Sequence, residues 1–425
     1  MHLILFDTPK SRINLFPLTL TRPVADLRVG IWTIAEKWSE HIEEDWNIPY
    51  GVRFHYLTDD YLQKKYPPLP ATSEEKIYIN WAICPNKELL TQIFFLEEET
   101  YLKNKDTIIA FRTYQNLNFG DITENSILFE ITTKELYETP TYLRRDVSKQ
   151  VPNATQNTHI TPTYIRYSHD IFGNNGAEIA LDFAAIRKYK KSQPILDKHT
   201  IVYNPDNVFI EEGADLKACV LNAEKGFIYI GENAQVQEMS VIQGNFALCE
   251  GSVVNMGSKM KGDTTIGPYC KVGGEISNSV IWGYSNKGHE GFLGNSVIGQ
   301  WCNLGADTNT SNLKNNYSTV KIWNYEQKSY IDTNKTFCGL TMGDHAKAGI
   351  NTMFNTGTVV GVSANVFGGG FPSKFIPSFA WSEGANFVTF DFQKALEVAQ
   401  KVMQRRNLQL SETEKNILEH IFSIT

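Results

Sequence analysis

Residues 230–272 read IGENAQVQEMSVIQGNFALCEGSVVNMGSKMKGDTTIGPYCKV, and an aliphatic residue stands at every sixth position. These positions are Ile230, Val236, Ile242, Leu248, Val254, Met260, Ile266 and Val272. A spacing of six matches neither the 3.6-residue period of a helix nor the two-residue alternation of a single strand. It is the spacing of a solenoid in which each triangular coil contributes three short strands, and each strand sends one apolar side chain inward. The stretch therefore predicts a left-handed parallel β-helix.

The same spacing returns further along the chain. Apolar residues with this spacing stand at Phe292, Ile298 and Leu304, and again at Met342, Ala348, Phe354, Val360 and Val366. A glycine follows the inward position at Gly231, Gly267 and Gly273, where a tight corner favours a residue without Cβ. We predict a β-helix domain over 206–385 with an insertion at about 314–336. A helical segment over 386–425 follows, and its last helix begins at a capping box of Ser411 and Glu414.

The first 150 residues alternate short apolar runs with longer runs of helical periodicity. The strand-like runs are His2–Phe6, Val52–Leu57, Lys76–Ile79 and Thr107–Phe111, and the helical runs are Val29–Trp46 and Lys87–Glu99. This alternation predicts an α/β, Rossmann-like domain over 1–150, in which helices cover a parallel sheet. Residues 151–205 contain prolines among polar residues, and they predict an extended connector that holds one helix, Ala180–Lys191.

The composition excludes several classes of function. The chain has 425 residues and a net charge of −7, which argues against nucleic acid or an acidic membrane surface as a partner. No apolar run approaches the ~20 residues needed to cross a bilayer, and the first residues lack the basic stretch of a signal peptide. The six cysteines show no metal-binding spacing, so we expect buried, reduced thiols and no metal site. We expect a cytoplasmic protein.

A phosphate-binding loop is expected after the first strand of an α/β domain that binds nucleotides. Residues 15–24, LFPLTLTRPV, resemble the start of the sugar-1-phosphate nucleotidylyltransferases, whose loop reads G-x-G-T-R-L-x-P-L-T followed by P-K. The glycines are absent here, and Asn14 and Val24 stand where the resemblance places an arginine and the activating lysine. Three nearby arginines are either ligands of a nucleoside triphosphate or ordinary salt-bridging residues: Arg12, Arg22 and Arg28.

The resemblance also implies Mg²⁺ as a possible cofactor of this domain. The expected acidic ligand after a central strand is replaced by Asn80. Because an amide is a weaker ligand for Mg²⁺ than a carboxylate, the sequence leaves nucleotidyl transfer open.

A second string of motifs lies within the repeat domain. Residues 286–294 read NKGHEGFLG, and they are followed by NLGADT at 303–308 and SNLK at 311–314. This order resembles the acetyltransferase half of the bifunctional N-acetylglucosamine-1-phosphate uridyltransferase/glucosamine-1-phosphate acetyltransferases, whose pattern runs K-A-G-H-L-T-Y-L-G-D, N-I-G-A-G-T and C-N-Y. It is most similar to an alternative bacterial branch that carries N-L-G-A-D-T and S-N-L-K. With the N-terminal loop, the resemblance covers most of the chain in the same domain order.

The resemblance implies that His289 is the general base of an N-acetyltransferase. An amine must be neutral to attack the thioester of acetyl-CoA, and histidine is suited to accept its proton near neutral pH. The alternative is a structural histidine at a coil corner. The resemblance implies further residues that bind the sugar phosphate and the acetyl-CoA. The asparagines among them have a purely structural alternative, because asparagines often form hydrogen-bonded ladders in the turns of β-helices. The sugar-phosphate residues are Lys261, Asn303, Asn312 and Lys314, and the acetyl-CoA residues are Ala306 and Gly349.

The sequence departs from the family pattern around this site. Phe292 and Leu313 replace tyrosines, Ser277 replaces a phosphate-binding lysine, and the insertion lies where the substrate loop is expected. The acceptor is therefore open between glucosamine 1-phosphate, another amino-sugar 1-phosphate and a nucleotide sugar. The resemblance also implies a homotrimer. A zinc site of the γ-class carbonic anhydrase type needs three histidines, and the repeat domain holds only His289 and His345.

Three hypotheses follow from the sequence. The first is a bifunctional enzyme that acetylates an amino-sugar 1-phosphate and transfers a nucleotidyl group to a sugar 1-phosphate, giving a product of the UDP-N-acetylglucosamine or dTDP-glucose type. The second is a sugar-1-phosphate nucleotidylyltransferase whose β-helix serves assembly or regulation. The third is a non-catalytic scaffold that binds nucleotide sugars.

Overall fold

The computed structural model describes residues 2–46, 54–104, 107–123, 132–135, 162–383 and 386–425. The chain divides into two compact units. The sheet unit comprises Met1–Ser11 and Ile34–Tyr164, and the β-helix unit comprises Arg12–Thr33 and Ile165–Thr425. Residues 12–33 thus fold with the β-helix, whereas the sequence pattern assigns them to the first domain.

The sheet unit contains a mixed sheet. Its described strands are His2–Phe6, Phe54–Leu57, Lys76–Asn80, Thr100–Asn104, Thr107–Thr113 and Thr132–Glu135. Its helices are Ile34–Trp46 and Lys87–Phe94, with a 3-10 turn at Asp60–Leu62, and the short helix Pro9–Asn14 lies at the boundary of the units.

The prediction of a parallel sheet is confirmed for three of the five described strand pairings and wrong for the two that involve Thr107–Thr113. His2–Phe6 pairs in parallel with Phe54–Leu57 and with Lys76–Asn80. Thr107–Thr113, in contrast, runs antiparallel to Lys76–Asn80 and to Thr100–Asn104. The link between Thr100–Asn104 and Thr107–Thr113 is too short for a parallel crossover, which needs a dozen or more residues, so these two strands form a hairpin.

The β-helix unit stacks short strands into three long sheets within the described residues, and neighbouring strands run parallel except for the last pair of the third sheet, which is antiparallel. The first sheet contains Ile201–Tyr203, Val220–Asn222, Val241–Gln243, Lys259–Met260, Glu275–Ser277 and Phe292–Gly294. The second contains Val208–Ile210, Ile228–Ile230, Phe246–Leu248, Thr264–Ile266, Val280–Ile281, Val297–Ile298, Thr341–Met342, Val359–Val360 and Phe375–Ile376. The third contains Asp215–Leu216, Gln235–Val236, Val253–Val254, Lys271–Val272, Asn286–Lys287, Asn303–Leu304, Lys347–Ala348, Asn365–Phe367, Ala380–Glu383 and Asn386–Thr389. Asn309–Thr310 pairs separately with Met353–Phe354.

The interior of the coils confirms the six-residue spacing. The eight residues that define it between Ile230 and Val272 are each at most 1% exposed and belong to one core, which continues through Met342 to Val366. The prediction is wrong at Phe292, which is only half-buried, because Leu293 takes the inward position there. At Gly231, Gly267 and Gly273 the corner lies so close to the backbone of the next coil that a Cβ would clash with it. A Cβ on Gly273, for example, would lie 2.6 Å from the carbonyl oxygen of Gly288.

Further elements surround the coils. The insertion folds as an antiparallel hairpin of Lys321–Asn324 and Ser329–Asp332. A long helix, Ser168–Tyr189, begins twelve residues before the predicted Ala180. It includes Asn175, whose side chain donates to the carbonyl of Asp263 (2.9 Å) and to Thr265 Oγ1 (3.0 Å). The C-terminal helices are Phe392–Gln404 and Glu412–Ser423, and the predicted capping box of the last helix is present. The 3-10 turns are Val24–Asp26 and Pro205–Asn207.

The buried cysteines agree with the sequence. All six are buried with free thiols. Burial raises the pKa of Cys270, Cys302 and Cys338 to about 12, so these thiols stay protonated at neutral pH. In the described part of the chain, no helix combines the length and apolarity needed to span a bilayer.

Aromatic side chains stack along the corner between the second and third sheets. Tyr269 stacks on Tyr284 (5.2 Å between ring centroids), Tyr284 on Trp301 (4.3 Å), and Trp301 on His345 (6.3 Å). His345 adopts a φ of 60°, and its Nδ1 is buried without a hydrogen-bond partner among the described residues. Burial lowers the pKa of His345 to about 3, and the neighbouring Lys347 ammonium acts in the same direction. His345 is therefore neutral in the folded protein at physiological pH.

We expect the inward and outward residues of one strand to differ sharply in their effect on stability. Ile242 is fully buried and its neighbour Val241 is 42% exposed. Ile242→Ala should lower the free energy of unfolding by about 2–5 kcal/mol, because it leaves a cavity in the coil interior. Val241→Ala should change it by less than about 0.5 kcal/mol. Urea unfolding of both variants measures the difference, and equal losses would contradict the inward register.

The buried His345 predicts a loss of stability in acid. Its folded-state pKa of about 3 lies below the value of 6.5 for a free histidine, so the unfolded chain binds the extra proton between these pH values. The free energy of unfolding should therefore fall as pH falls from 6.5 towards 3. His345→Asn suits the left-handed backbone and should make this fall shallower. Thermal unfolding across this pH range measures the slope. The matched control His199→Asn removes an exposed histidine, and an identical slope in both variants would contradict the prediction.

Candidate functional site

The His289 corner, Gly288–Gly291, connects the third sheet to the first. The preceding coil turns at the same place through only Gly273 and Gly274. Because that corner is shorter, the longer Gly288–Gly291 turn stands out beyond it, and His289 and Glu290 are exposed. The change in corner length thus creates a depression beside His289.

Glycines fix the path of the two corners because their backbones touch. A Cβ on Gly274 would lie 2.8 Å from the carbonyl oxygens of both His289 and Gly291. A Cβ on Gly291 would lie 2.2 Å from the carbonyl oxygen of Thr308, and its φ of 115° is itself a glycine conformation. No other residue fits at these positions without moving a neighbouring coil.

The depression has a volume of about 440 Å³. It is lined by Gln237, Asn255, Met256, Gly273, Gly274, Gly288, His289 and Glu290. Asn255 supports the corner from below, since its Nδ2 donates to the carbonyl of Gly288 (2.7 Å). The imidazole of His289 is therefore a solvent-accessible base on the wall of a polar depression with a rigid floor.

A buried lysine lies directly behind this corner. Lys287 is 1% exposed, and its Nζ donates to the carbonyls of His289 (2.6 Å) and Glu290 (3.0 Å). Burial lowers the pKa of Lys287 to about 8, because the low-dielectric interior disfavours the ammonium. Sequence reasoning missed Lys287, although a lysine at the inward position of a coil, in register with Val272, is a visible signal.

The structure brings the predicted acetyl-CoA residues to the same corner as His289. The N–H of Asp307, next to Ala306, donates to the carbonyl of Glu290 (3.1 Å). One coil further, the N–H of Asn351 donates to the carbonyl of Ala306 (2.8 Å), and the carbonyl of Gly349 accepts from Thr308 Oγ1 (3.2 Å). His289, Ala306 and Gly349 thus follow one edge of the β-helix in successive coils.

Asn303 lies on the third sheet, before this edge. It is exposed, and it pairs with Asn286 on one side and Lys347 on the other. Lys347 donates to the carbonyls of Trp301 (2.7 Å) and His345 (2.8 Å), and burial lowers its pKa to about 8.

The other predicted sugar-phosphate residues lie on or beyond the first sheet. Lys261 is exposed and forms an ion pair with Glu275 (2.6 Å). Asn312 donates to Asn295 Oδ1 (2.8 Å). Lys314 donates to the carbonyl of Thr319 within the insertion. In the described structure none of these three residues forms a hydrogen bond or ion pair with His289, and their roles stay predictions.

The three predicted nucleotide-binding arginines make contacts within the β-helix unit. Arg12 is buried and donates to the carbonyls of Thr19 (2.8 Å) and Arg22 (3.3 Å). Arg22 forms an ion pair with Asp344 and lies over the ring of Trp282, 4.9 Å from its centroid. Arg28 donates to the carbonyl of Ile31 and to Cys249 Sγ. Their part in nucleotide binding stays a prediction.

The described residues do not offer the expected ligands of a metal ion. No group of three or more His, Cys, Asp or Glu side chains that could together hold a metal ion occurs among them, and His289 and His345 lie at different corners of the coils. The amide of Asn80 is used within the sheet unit, where it donates to the carbonyl of Ile108 (2.8 Å) and accepts from the N–H of Ala82 (2.9 Å). A buried carboxylate at the same sheet edge, Asp7, accepts from Thr58 Oγ1 (2.7 Å). Its position at the end of the first strand makes Asp7 a better candidate for a Mg²⁺ ligand than Asn80.

Comparison with known proteins gives a family model that matches the first part of the chain and curated relatives of low identity. A model of a sugar nucleotidyl transferase family matches residues 3–191. A bifunctional protein GlmU from Synechococcus elongatus is 24% identical over 236 residues, which cover 50% of this chain and 48% of that protein. A bifunctional sugar-1-phosphate nucleotidylyltransferase/acetyltransferase from Sulfurisphaera tokodaii is 30% identical over 147 residues, covering 34% of this chain and 36% of that protein. The chain thus spans about half or less of the length of these curated relatives.

Solved structures add little to this result. The polySia-specific acetyltransferase NeuO covers 45% of this chain and 84% of its own, with 16% identity and a TM-score of 0.24. A UDP-N-acetylglucosamine acyltransferase from Campylobacter jejuni covers 51% of this chain and 94% of its own, with 14% identity and a TM-score of 0.19. Scores this low add nothing to the fold described above. On the sequence comparisons, the chain is similar at low identity to bifunctional sugar-1-phosphate nucleotidylyltransferase/acetyltransferases, and its residues 3–191 match the sugar nucleotidyl transferase family.

Proposed function

We propose that the β-helix unit transfers the acetyl group of acetyl-CoA to the amine of an amino-sugar 1-phosphate such as glucosamine 1-phosphate. The observation that supports this most directly is the exposed imidazole of His289 on the wall of the depression. A histidine that served only to fill a coil corner would pack against its neighbours. His289 instead projects into solvent from a corner that glycines hold in place.

The proposed reaction needs a base and no covalent intermediate on the protein. The neutral amine attacks the acetyl carbonyl carbon, a C–N bond forms, and the C–S bond of the thioester breaks. His289 accepts the proton that the amine loses, and this proton then goes to the departing CoA thiolate. General-base catalysis of this kind contributes roughly 10²–10⁴-fold to the rate.

We assign the two substrates to opposite sides of the His289 corner. Acetyl-CoA would lie along the edge that carries Ala306 and Gly349. The sugar phosphate would lie towards the first sheet, where the exposed Lys261 supplies positive charge. Asn312 and Lys314 would add contacts on that side and Asn303 would add one from the third sheet, and another amino-sugar phosphate or a nucleotide sugar is an alternative acceptor. We further propose a homotrimer, as in the related family.

A second activity is favoured by the match of residues 3–191 to the sugar nucleotidyl transferases. In this reaction, a sugar 1-phosphate attacks the α-phosphate of a nucleoside triphosphate and releases pyrophosphate, giving a UDP-N-acetylglucosamine- or dTDP-glucose-type product. Mg²⁺ would neutralise the phosphate charge, and Asp7 is the candidate ligand. If neither reaction occurs, binding of nucleotide sugars by a non-catalytic scaffold is the third possibility.

The acetyl transfer is tested by release of free CoA thiol from acetyl-CoA with glucosamine 1-phosphate. We expect turnover by the wild type and a loss of roughly 100-fold or more in kcat for His289→Ala, because the amine proton loses its acceptor. The melting temperature should not change, since His289 is exposed.

His199→Ala, which removes an exposed histidine distant in sequence, is the matched control and should keep wild-type turnover. Turnover that survives in His289→Ala would remove this residue from the mechanism. A wild type that is inactive with a panel of amino-sugar phosphates and nucleotide sugars would contradict the proposed reaction itself.

Pyrophosphate release tests the second activity. UTP or dTTP with a sugar 1-phosphate and Mg²⁺ should yield pyrophosphate, and Asp7→Asn should reduce this rate while leaving CoA release unchanged. The two readouts separate the two activities in one preparation. If both are absent but UDP-sugars raise the melting temperature, the protein is a nucleotide-sugar binder.

A further inference from the structure

One interior position of the β-helix breaks the apolar pattern. Each coil sends one side chain of the third sheet inward, and these side chains stack in a column. Lys287 belongs to this column, and its neighbours there are aliphatic. Its neighbours in the column are Leu216, Val236, Val254, Val272, Leu304, Ala348 and Val366. The backbone pairing places Lys287 directly on Val272, and only 1% of its surface is exposed. An aliphatic residue would satisfy the stacking of the coils equally well.

A lysine at such a position carries a cost. Removal of an ammonium from water is unfavourable unless hydrogen bonds replace the lost solvation. The structure supplies these bonds from two carbonyls of the next corner, those of His289 and Glu290. The lysine therefore connects the interior of one coil to the backbone of the exposed corner.

This connection is the specific support of the His289 backbone. The carbonyl of Gly288 accepts from Asn255, that of Glu290 from the N–H of Asp307 as well as from Lys287, and that of Gly291 from the N–H of Glu275. Among the described residues, the carbonyl of His289 accepts a hydrogen bond only from Lys287. The carbonyls on either side of His289 are held by other groups, so the bond from Lys287 is the one that fixes the peptide of His289 itself.

We propose that Lys287 is a positioning residue, which holds the His289 corner from inside the β-helix and sets the place of the imidazole against the substrate amine. This inference rests on the acetyl transfer proposed above. Lys287 touches neither substrate, and it acts through the backbone of His289.

The test is Lys287→Met, which fills the column with an unbranched apolar side chain and removes the donor. We expect kcat for CoA release to fall about 10- to 100-fold, since a displacement of about 1 Å at a reacting group costs up to 100-fold. KM for acetyl-CoA should stay within about twofold. The melting temperature should stay the same or rise, because a buried charge has been removed.

The matched control is Ile230→Ala, an interior substitution on the second sheet, three coils before the coil that carries Lys287. It should lower the melting temperature and leave kcat unchanged. A Lys287→Met variant with wild-type kcat would overturn the proposal. So would a fall in kcat that both variants share in proportion to their loss of stability, because Lys287 would then be a structural residue alone.

A second readout separates this inference from the proposed reaction. Hydrogen–deuterium exchange of the amides of Glu275 and Asp307, which donate to the carbonyls of Gly291 and Glu290, should be faster in Lys287→Met than in the wild type, whichever reaction the protein catalyses. Unchanged exchange would overturn the positioning role. A wild type without acetyl transfer but with this faster exchange in the variant would retain the role of Lys287 and reject the reaction.

Discussion

The stacking of parallel coils in register is the constraint on which the β-helix depends. Backbone N–H groups of one coil donate to carbonyls of the next, as from Gly231 to Leu248, Cys249 to Ile266 and Gly267 to Ile281, at 2.7–2.8 Å. Each residue therefore stands directly above the equivalent residue of its neighbour. An inward position must be apolar in coil after coil, and a corner that approaches the next coil closely must lack a Cβ. Because each coil bonds only to its neighbours, a substitution at one corner directly affects only the adjacent coils.

The candidate site arises from a local exception to this regularity. The coil before the site turns through Gly273 and Gly274, and the next coil has a longer corner that stands out into solvent with His289. Backbone hydrogen bonds to the neighbouring coils hold the rest of this coil in place, so the exposed corner is anchored at both of its ends. Lys287 adds a support from the interior, and Ala306 and Gly349 continue the same edge in later coils. The fold thus holds a glycine-rich turn in one defined position.

The sequence predicted the β-helix well because the interior requirement repeats in every coil. It failed at Phe292 because the step from the inward Leu293 to the inward Ile298 is five residues, so a six-residue spacing counted back from Ile298 falls on Phe292. It placed the start of the long helix too late, since glycines and asparagines have low helix propensity. The side chain of Asn175 compensates by bonding to Asp263 and Thr265, which no local pattern reveals. Nor could local pattern show that Arg22 pairs with Asp344, 322 residues away. The proposed role of His289 came from its motif, and the roles of the substrate-binding residues are still predictions.

The most direct test of the proposed site is the footprint of acetyl-CoA on the full chain, measured by hydrogen–deuterium exchange. We predict slower exchange at saturating acetyl-CoA in the segments that form the shared edge, residues 286–291, 303–308 and 347–351. Protection there would locate the cofactor beside His289 without any assumption about the acceptor sugar. Protection confined to other coils, or no change at saturation, would contradict the assignment of this edge as the acetyl transfer site.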